Sequence, residues 1–174
     1  MASDYDAWFD SEGKLVFAIE AEALRSVLPL LPEPGLEIGV GSGRFAQALG
    51  IQIGLDPSIE LLRIATGRGL NALQGIGESM PFHDKVFATA FLIVTLCFAD
   101  SPLGVLREAC RVLKEDGKVV LGVVLRESPW GQFYETKKAE GHRFYQHATF
   151  YSLSEVTALL GQAGFAPPTV FSTL

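Results

Sequence analysis

The sequence predicts an α/β protein: a doubly wound, mostly parallel sheet of six or seven strands with helices on both faces. Short apolar runs typical of strands alternate with segments of helical periodicity along most of the 174 residues. Two of these runs, VFATAFLIV and KVVLGVVL, are apolar at nearly every position. Strands buried on both faces occur in parallel sheets that helices cover on each side.

The first half of the chain contains a helix and then strands alternating with helices. Apolar residues recur at helical spacing from Gly13 to Leu28, and three prolines then end this helix: Pro29, Pro32 and Pro34. LEIGV, IQIGLD and LNALQG are predicted strands, and GSGRFAQAL and SIELLRIATGRG are predicted helices between them. We expect ligands beyond the carboxyl ends of these strands, where the strand order reverses.

The second half continues the alternation. A serine–proline pair at 101–102 predicts the start of a helix that runs to about Lys114, between the two fully apolar strands. Ser152 and Glu155 fit a capping box and predict a second helix. A last short strand is expected at 169–172, with the C-terminal hairpin that usually completes such sheets cut short.

Composition limits the class of protein. The chain is 48% hydrophobic and 20% charged, as expected of a folded globular domain. Fourteen basic and twenty acidic residues give a net charge of −6, which argues against a nucleic acid or an anionic membrane as partner. With two cysteines and no leader typical of secretion, we expect a reducing cytoplasm and no metal site.

A glycine-rich turn follows the first predicted strand. Glu37, Gly39, Gly41 and Gly43 are spaced two apart, so the turn carries few side chains and a ligand can contact its backbone. The unpaired N–H groups of the following helix also face that ligand. A nicotinamide-dinucleotide turn would have its third glycine at Arg44, which disfavours a nicotinamide-dependent reductase.

A carboxylate ends the second predicted strand. Asp56 lies 19 positions after Glu37 and can accept hydrogen bonds from both hydroxyls of a ribose lying across the sheet. The alternative is an aspartate that only starts the next helix before Pro57. Together with the glycine turn, Asp56 predicts a nucleoside site.

These motifs resemble those of class I S-adenosylmethionine-dependent methyltransferases, particularly the small-molecule group related to ubiquinone- and menaquinone-biosynthesis enzymes. E-x-G-x-G-x-G is similar to that family's first motif and GLDPS to its second. The segments GIGESMPFHDKVF and LREACRVLKEDGKVVL resemble its later motifs, and the likeness covers nearly the whole chain. The resemblance implies a Rossmann-like fold, S-adenosylmethionine as cofactor and S-adenosylhomocysteine as product.

The resemblance also implies roles for individual residues. Glu37 would lie near the amino-acid part of the cofactor, the three glycines against methionine and ribose, and Asp56 on the ribose hydroxyls. The remaining implied contacts are Pro57, Gly77 and Glu78 around the adenine, and Leu92 beneath the sulfonium. Ile76 departs from the family, because an adenine-facing aspartate is usual at that position.

Seven of the eighteen aromatic residues fall between the last apolar strand and the capped helix: Trp130, Phe133, Tyr134, Phe144, Tyr145, Phe150 and Tyr151. This concentration predicts a lid over the strand ends or a small core of its own. The candidate catalytic residues in it are His142, His147, Tyr134 and Tyr145. Trp8 and Phe9 form either a second lid or simple packing, and the basic residues Lys137, Lys138, His142 and Arg143 either favour an anionic acceptor or face solvent.

We therefore expect one methyltransferase-like domain over 1–174. It divides into an N-terminal helical lid (1–34), a cofactor-binding core (35–125), a substrate lid (126–151) and a C-terminal helix and strand (152–174). The expected activity is in-line methyl transfer to a small-molecule acceptor. The alternative is a domain that binds the cofactor as a sensor or scaffold without transferring the methyl group. A homodimer through an exposed sheet edge is a further expectation.

Overall fold

The structure is a computed structural model and describes residues 2–28, 31–142 and 145–173. Its helices are α1 (Ala2–Trp8), α2 (Lys14–Val27), α3 (Arg44–Leu49), α4 (Ile59–Gly67), α5 (Pro102–Val112), α6 (Pro129–Ala139) and α7 (Leu153–Ala163), with a 3-10 turn at Leu96–Phe98. Its strands are β1 (Gly35–Ile38), β2 (Ile53–Asp56), β3 (Asn71–Gln74), β4 (Phe87–Ile93) and β5 (Leu113–Gly122).

All five strands are parallel, in the order β3–β2–β1–β4–β5. The strand order reverses between β1 and β4, so a crevice opens beyond the carboxyl ends of these two strands. The predicted α/β architecture is confirmed.

Alternate side chains of the central strands pack on opposite faces of the sheet. Leu36 and Leu92 belong to a core shared with α5 and α7, and Phe91 and Ile93 belong to one shared with α2, α3 and α4. All seven residues of β4 are buried, as its apolar sequence predicts. Helices on both faces thereby hold the strand ends in fixed positions.

Serine caps begin the helices after β4 and β5. The side chain of Ser101 caps α5, and Ser152 with Glu155 forms the predicted capping box of α7. Ser128 caps α6, a helix that composition alone does not predict within the lid. The predicted end of α2 is confirmed at Val27, while Pro29 lies outside the described residues.

The predicted count of six or seven strands is wrong for the described part of the chain, where the sheet has five. The expected strand at 169–172 does not form, and residues 165–173 have no regular secondary structure. Pro167 and Pro168 cannot donate backbone hydrogen bonds, and Phe171 is 70% exposed with no strand beside it. β3 and β5 are therefore the sheet edges, and dimerisation through one of them stays a prediction.

No helix among the described residues combines the length and the hydropathy that crossing a membrane requires.

Arg111, at the end of α5, fastens the connection that leads into β4. Its guanidinium contacts both carboxylate oxygens of Glu108, at 2.6 and 2.8 Å, and donates to the backbone carbonyls of Met80 and Phe82 and to Asp84. Glu108 also accepts the backbone N–H of Met80. The later motif that contains Arg111 therefore has a structural role in this chain.

We expect Arg111→Ala to lower the free energy of unfolding by about 1–3 kcal/mol, because two backbone carbonyls and two carboxylates lose their donor. Urea unfolding followed by circular dichroism measures it. Arg107→Ala is the matched control: this arginine lies on the same helix, is exposed and has no partner among the described residues. Equal losses in the two variants would contradict a clamping role for Arg111.

Candidate functional site

The glycine turn, residues 39–43, leaves β1 and enters α3 with three glycines at positive φ: 74° at Gly39, 55° at Gly41 and 81° at Gly43. A Cβ at Gly39 would lie 2.4 Å from the Thr95 side chain, so a larger residue has no room there. A Cβ at Gly41 would meet only the ring of Tyr5, at 3.6 Å. Gly41 is buried, and the ring of Tyr5 occupies the face of the turn on which a ligand would pack.

Asp56, the last residue of β2, contacts this turn directly. Its Oδ2 accepts the backbone N–H of Gly41 at 2.9 Å, and its Oδ1 accepts that of Ser58 at 2.9 Å. The parallel register places Leu55 opposite Ile38, which brings the two strand ends together. Burial raises the pKa of Asp56, and the two backbone hydrogen bonds oppose that rise.

Glu37 lies on β1, immediately before the turn, and is buried. One of its oxygens, Oε2, is buried and has no hydrogen-bond partner among the described residues, although the backbone N–H of Ala46 donates to the carboxylate. Burial raises the pKa of Glu37 well above its ordinary value, and the nearby charge of Asp56 adds to the rise. A buried carboxylate oxygen with no donor is costly unless a ligand supplies one.

A cavity of about 770 Å³ extends from Glu37 and Gly39 into the lid. We call it the site cavity. Ile93 and Val94 form its floor at the carboxyl end of β4, and its far wall comes from α6 and the residues that follow it. Its volume is within the range of small-molecule sites.

Aromatic rings form much of that far wall. Tyr134 stacks on Tyr145 with ring centroids 4.4 Å apart, and His142 stacks on Tyr145 at 4.9 Å. Tyr134 also lies near Phe150 and Trp130. The rings thus build a small core of the lid and at the same time line the site cavity.

Helix α1 lies over the glycine turn. It has no buried residue of its own, and ion pairs hold it in place: Asp6 contacts Arg44 and Arg68, each at 2.8 Å, and Asp10 also contacts Arg44. Burial alone would raise the pKa of Asp6, but hydrogen bonds from Arg44 and Arg68 outweigh this effect and hold the pKa well below its usual range.

Two aromatic residues continue the cover that α1 provides. Phe9, just after α1, packs edge-on against Phe17 and Phe45, and Trp8 packs against Gly13. Both rings also line the site cavity. The sequence left two interpretations of Trp8 and Phe9, a second lid or simple packing. Because both rings pack on neighbours and also line the cavity, the two interpretations are compatible.

The other candidate residues are more dispersed. Of the candidate catalytic residues, Tyr134, Tyr145 and His142 line the site cavity, whereas His147 is exposed outside it. Leu92 is fully buried on the opposite face of β4, because Ile93 and Leu92 alternate along the strand.

The residues assigned to the adenine lie away from the site cavity. Pro57 is exposed, and Gly77 packs so closely on Val105 that a Cβ there would lie 3.0 Å from it. Glu78 accepts the backbone N–H of Ser101 at 3.1 Å. Ile76, the departure from the family, is 51% exposed.

The predicted basic surface is mostly engaged elsewhere. Lys137 contacts Glu140 at 3.1 Å, and Lys138 donates to the carbonyl of Ala148. Arg143 and Phe144 lie outside the described residues.

Sequence reasoning missed Tyr5 and Glu20, which both line the site cavity. The sequence did contain a signal for Glu20. It lies one helical turn after Val16, so a charged residue falls on the same face as an apolar residue of the predicted helix.

Comparisons with known proteins agree with this geometry. A family model described as a methyltransferase domain matches residues 36–121. An uncharacterized protein of Methanocaldococcus jannaschii is 41% identical over 99% of this chain and 84% of its own length. An uncharacterized protein of Mycobacterium tuberculosis is 41% identical over 94% of this chain, which spans only 58% of that relative.

The fold matches a solved structure at high similarity. The crystal structure of an S-adenosylmethionine-dependent methyltransferase, possible histamine N-methyltransferase, from Thermotoga maritima superposes with a TM-score of 0.85. It is 41% identical, and the match covers 94% of this chain and 77% of that one. The likeness to ubiquinone-biosynthesis enzymes in particular stays a prediction. With its glycine turn, its five-stranded parallel sheet and these relatives, the chain belongs to the class I S-adenosylmethionine-dependent methyltransferases.

Proposed function

We propose that this protein transfers a methyl group from S-adenosylmethionine to a small-molecule acceptor. The observation that carries the proposal is the pair of carboxylates at the glycine turn: Asp56 bonded to Gly41, and Glu37 with one buried oxygen unpartnered at the cavity wall. Glu37 lacks a donor for one oxygen, and each oxygen of Asp56 accepts only one, which fits a ligand with an ammonium at one end and ribose hydroxyls at the other.

Glu37 and Asp56 would bind different parts of this ligand. Glu37 would take the ammonium of the amino-acid part, which supplies the missing donor and offsets the cost of the buried charge. Each oxygen of Asp56 accepts one backbone N–H and retains a lone pair for a ribose hydroxyl. Gly39, Gly41 and Gly43 would supply backbone contact with no side chain in the way.

The adenine end would depend on Pro57, Gly77 and Glu78, at the edge of the sheet. Because Glu78 accepts the N–H of Ser101 and Ile76 has no polar group, side-chain recognition of the exocyclic amine is weak here. We infer that backbone groups recognise the adenine.

S-adenosylmethionine supplies an electrophilic methyl group when bound. The protein's contribution is then to orient an acceptor and to exclude water. Positioning alone lowers the activation barrier by about 7–11 kcal/mol in ideal cases. Burial raises the pKa values of Tyr134 and Tyr145, so both phenols stay protonated near neutral pH. They would act as hydrogen-bond donors that orient the acceptor, not as bases, and His142 would lie beside them.

A sensor that binds the cofactor without reacting it is the alternative. The length of the site cavity favours an enzyme, since it continues from Glu37 past the turn to Phe133 and Phe150. A domain that only bound the cofactor would have no use for this extension of the cavity into the lid. Release of S-adenosylhomocysteine in the presence of an acceptor separates the two functions.

The proposal assigns residues 1–34 and 126–151 to two lids over a core of 35–125, with 152–174 completing one domain. We also propose that the protein acts in the cytoplasm, where its two cysteines would remain thiols.

The ring of Tyr5, on α1, packs on Gly41. Burial raises the pKa of this phenol, and the nearby charges of Asp56 and Glu37 add to the rise. We therefore infer that α1 must move for a nucleoside to reach Asp56.

We expect Asp6→Asn to release α1, because Arg44 and Arg68 lose their shared carboxylate. Hydrogen exchange measured by mass spectrometry should show amides of residues 2–12 exchanging roughly tenfold faster, as expected for the loss of about 1–2 kcal/mol. The control Glu12→Gln removes the same charge just beyond the helix and should leave these rates unchanged.

The same ion pairs predict a pH dependence. The folded pKa of Asp6 lies below the ordinary aspartate value of about 3.9, so the pairs stabilise the docked helix fully above that value. The stabilisation is lost as the pH falls further towards the folded pKa. Exchange rates at 2–12 that do not respond to Asp6→Asn at pH 7 would refute the anchoring role.

We expect S-adenosylhomocysteine to bind the wild-type chain, and Asp56→Asn and Glu37→Gln each to weaken it roughly 10- to 100-fold, because each variant loses a charged acceptor. Isothermal titration calorimetry measures the dissociation constants. Glu60→Gln, an exposed neighbour in α4, is the matched control and should bind as wild type does. No heat from wild type, or equal affinities in all four proteins, would defeat the proposed function.

A further inference from the structure

The site cavity is lined by a carboxylate on α2, Glu20, in addition to Glu37 at the glycine turn. We propose that the acceptor carries a cationic amine, which Glu20 of α2 binds among the aromatic rings of the lid. This inference rests on the proposed function, because it names the class of acceptor that the site cavity receives beside the cofactor.

Glu20 has no hydrogen bond or ion pair among the described residues, although it is partly buried. Glu20 and Tyr134 line the same cavity. Desolvation raises the pKa of Glu20 to about 7, and burial, with a smaller contribution from the charge of Glu20, raises the pKa of Tyr134. A carboxylate held in a cavity without a donor is destabilised, and an ammonium group would supply both the charge and the hydrogen bonds it lacks.

The balance of charge on the wall favours a cation. Four carboxylates line the site cavity: Asp4, Glu12, Glu20 and Glu37. Arg44 and Lys137 also line it, but each is already paired, Arg44 with Asp6 and Asp10 and Lys137 with Glu140. The arginine and lysine that the structure describes on this wall are therefore already paired, whereas Glu20 is not, so a cationic acceptor finds a charge partner there.

The rings near Glu20 suit the same ligand. Trp130, Phe133 and Tyr134 border the site cavity on the lid side, and Trp8 borders it from the N-terminal side. The Nζ of Lys137 already lies 5.7 Å from the centroid of Phe133, which is a cation–π distance. Aromatic faces around a carboxylate form the kind of site that binds an ammonium group and selects against a carboxylate ligand.

The test uses two probes of the same shape and opposite charge, 2-phenylethylamine and 3-phenylpropionate, titrated by calorimetry into the full chain with and without saturating S-adenosylhomocysteine. We expect wild type to bind the amine at least tenfold more tightly than the acid. Glu20→Gln should weaken the amine roughly 10- to 100-fold and leave the acid unchanged. Glu22→Gln, an exposed residue of the same helix that pairs with Arg25, is the control and should match wild type.

Equal affinity for the two probes, no binding of the amine to wild type, or an amine affinity that Glu20→Gln leaves unchanged would each overturn this inference. The affinity of Glu20→Gln for S-adenosylhomocysteine is measured in parallel and should equal that of wild type. Loss of nucleoside binding in wild type would instead count against the proposed function, so the two failures are distinguishable. A thermal melt of each variant confirms that it is folded.

Discussion

The hydrogen bond from the Gly41 N–H to Asp56 is the constraint on which the site depends. It joins the turn after β1 to the end of β2 at 2.9 Å, and Leu55 supplements it by accepting the N–H groups of Gly39 and Val40. These three hydrogen bonds fix the turn relative to the second strand. Because the sheet core also holds both strand ends, Asp56 lies near enough for its charge to raise the pKa of Glu37, and the ligand chemistry follows from that arrangement.

The site cavity combines two environments that meet at β4. On one side lies backbone with positive φ and buried carboxylates, suited to a nucleoside with an ammonium group. On the other lie stacked rings from the lid, with Glu20 opposite them. With this division, the glycine-turn side of the cavity can bind the cofactor whatever the acceptor is, and the lid side determines which acceptor enters.

Much of this structure could be predicted from the sequence, for identifiable reasons. The fully apolar run of β4 and the capping box at Ser152 are local signals, and both elements form as expected. The expected strand at 169–172 contains the β-branched and aromatic residues Thr169, Val170 and Phe171 but has no neighbour to pair with, and pairing is a tertiary property. Tyr5 was missed because its importance arises from the docking of α1 over the turn. Glu20 was missed because helical periodicity places it on the face of Val16 without showing that this face lines a cavity.

Arg44 has a consequence beyond its ion pairs. It occupies the first position of α3, where a dinucleotide-binding turn would have the glycine that lets the helix pack closely on its strand. Here the side chain at this position points to the N-terminal segment and pairs with Asp6 and Asp10. A glycine could make neither ion pair, so the residue that departs from the dinucleotide pattern is also the one that ties the covering segment to the glycine turn.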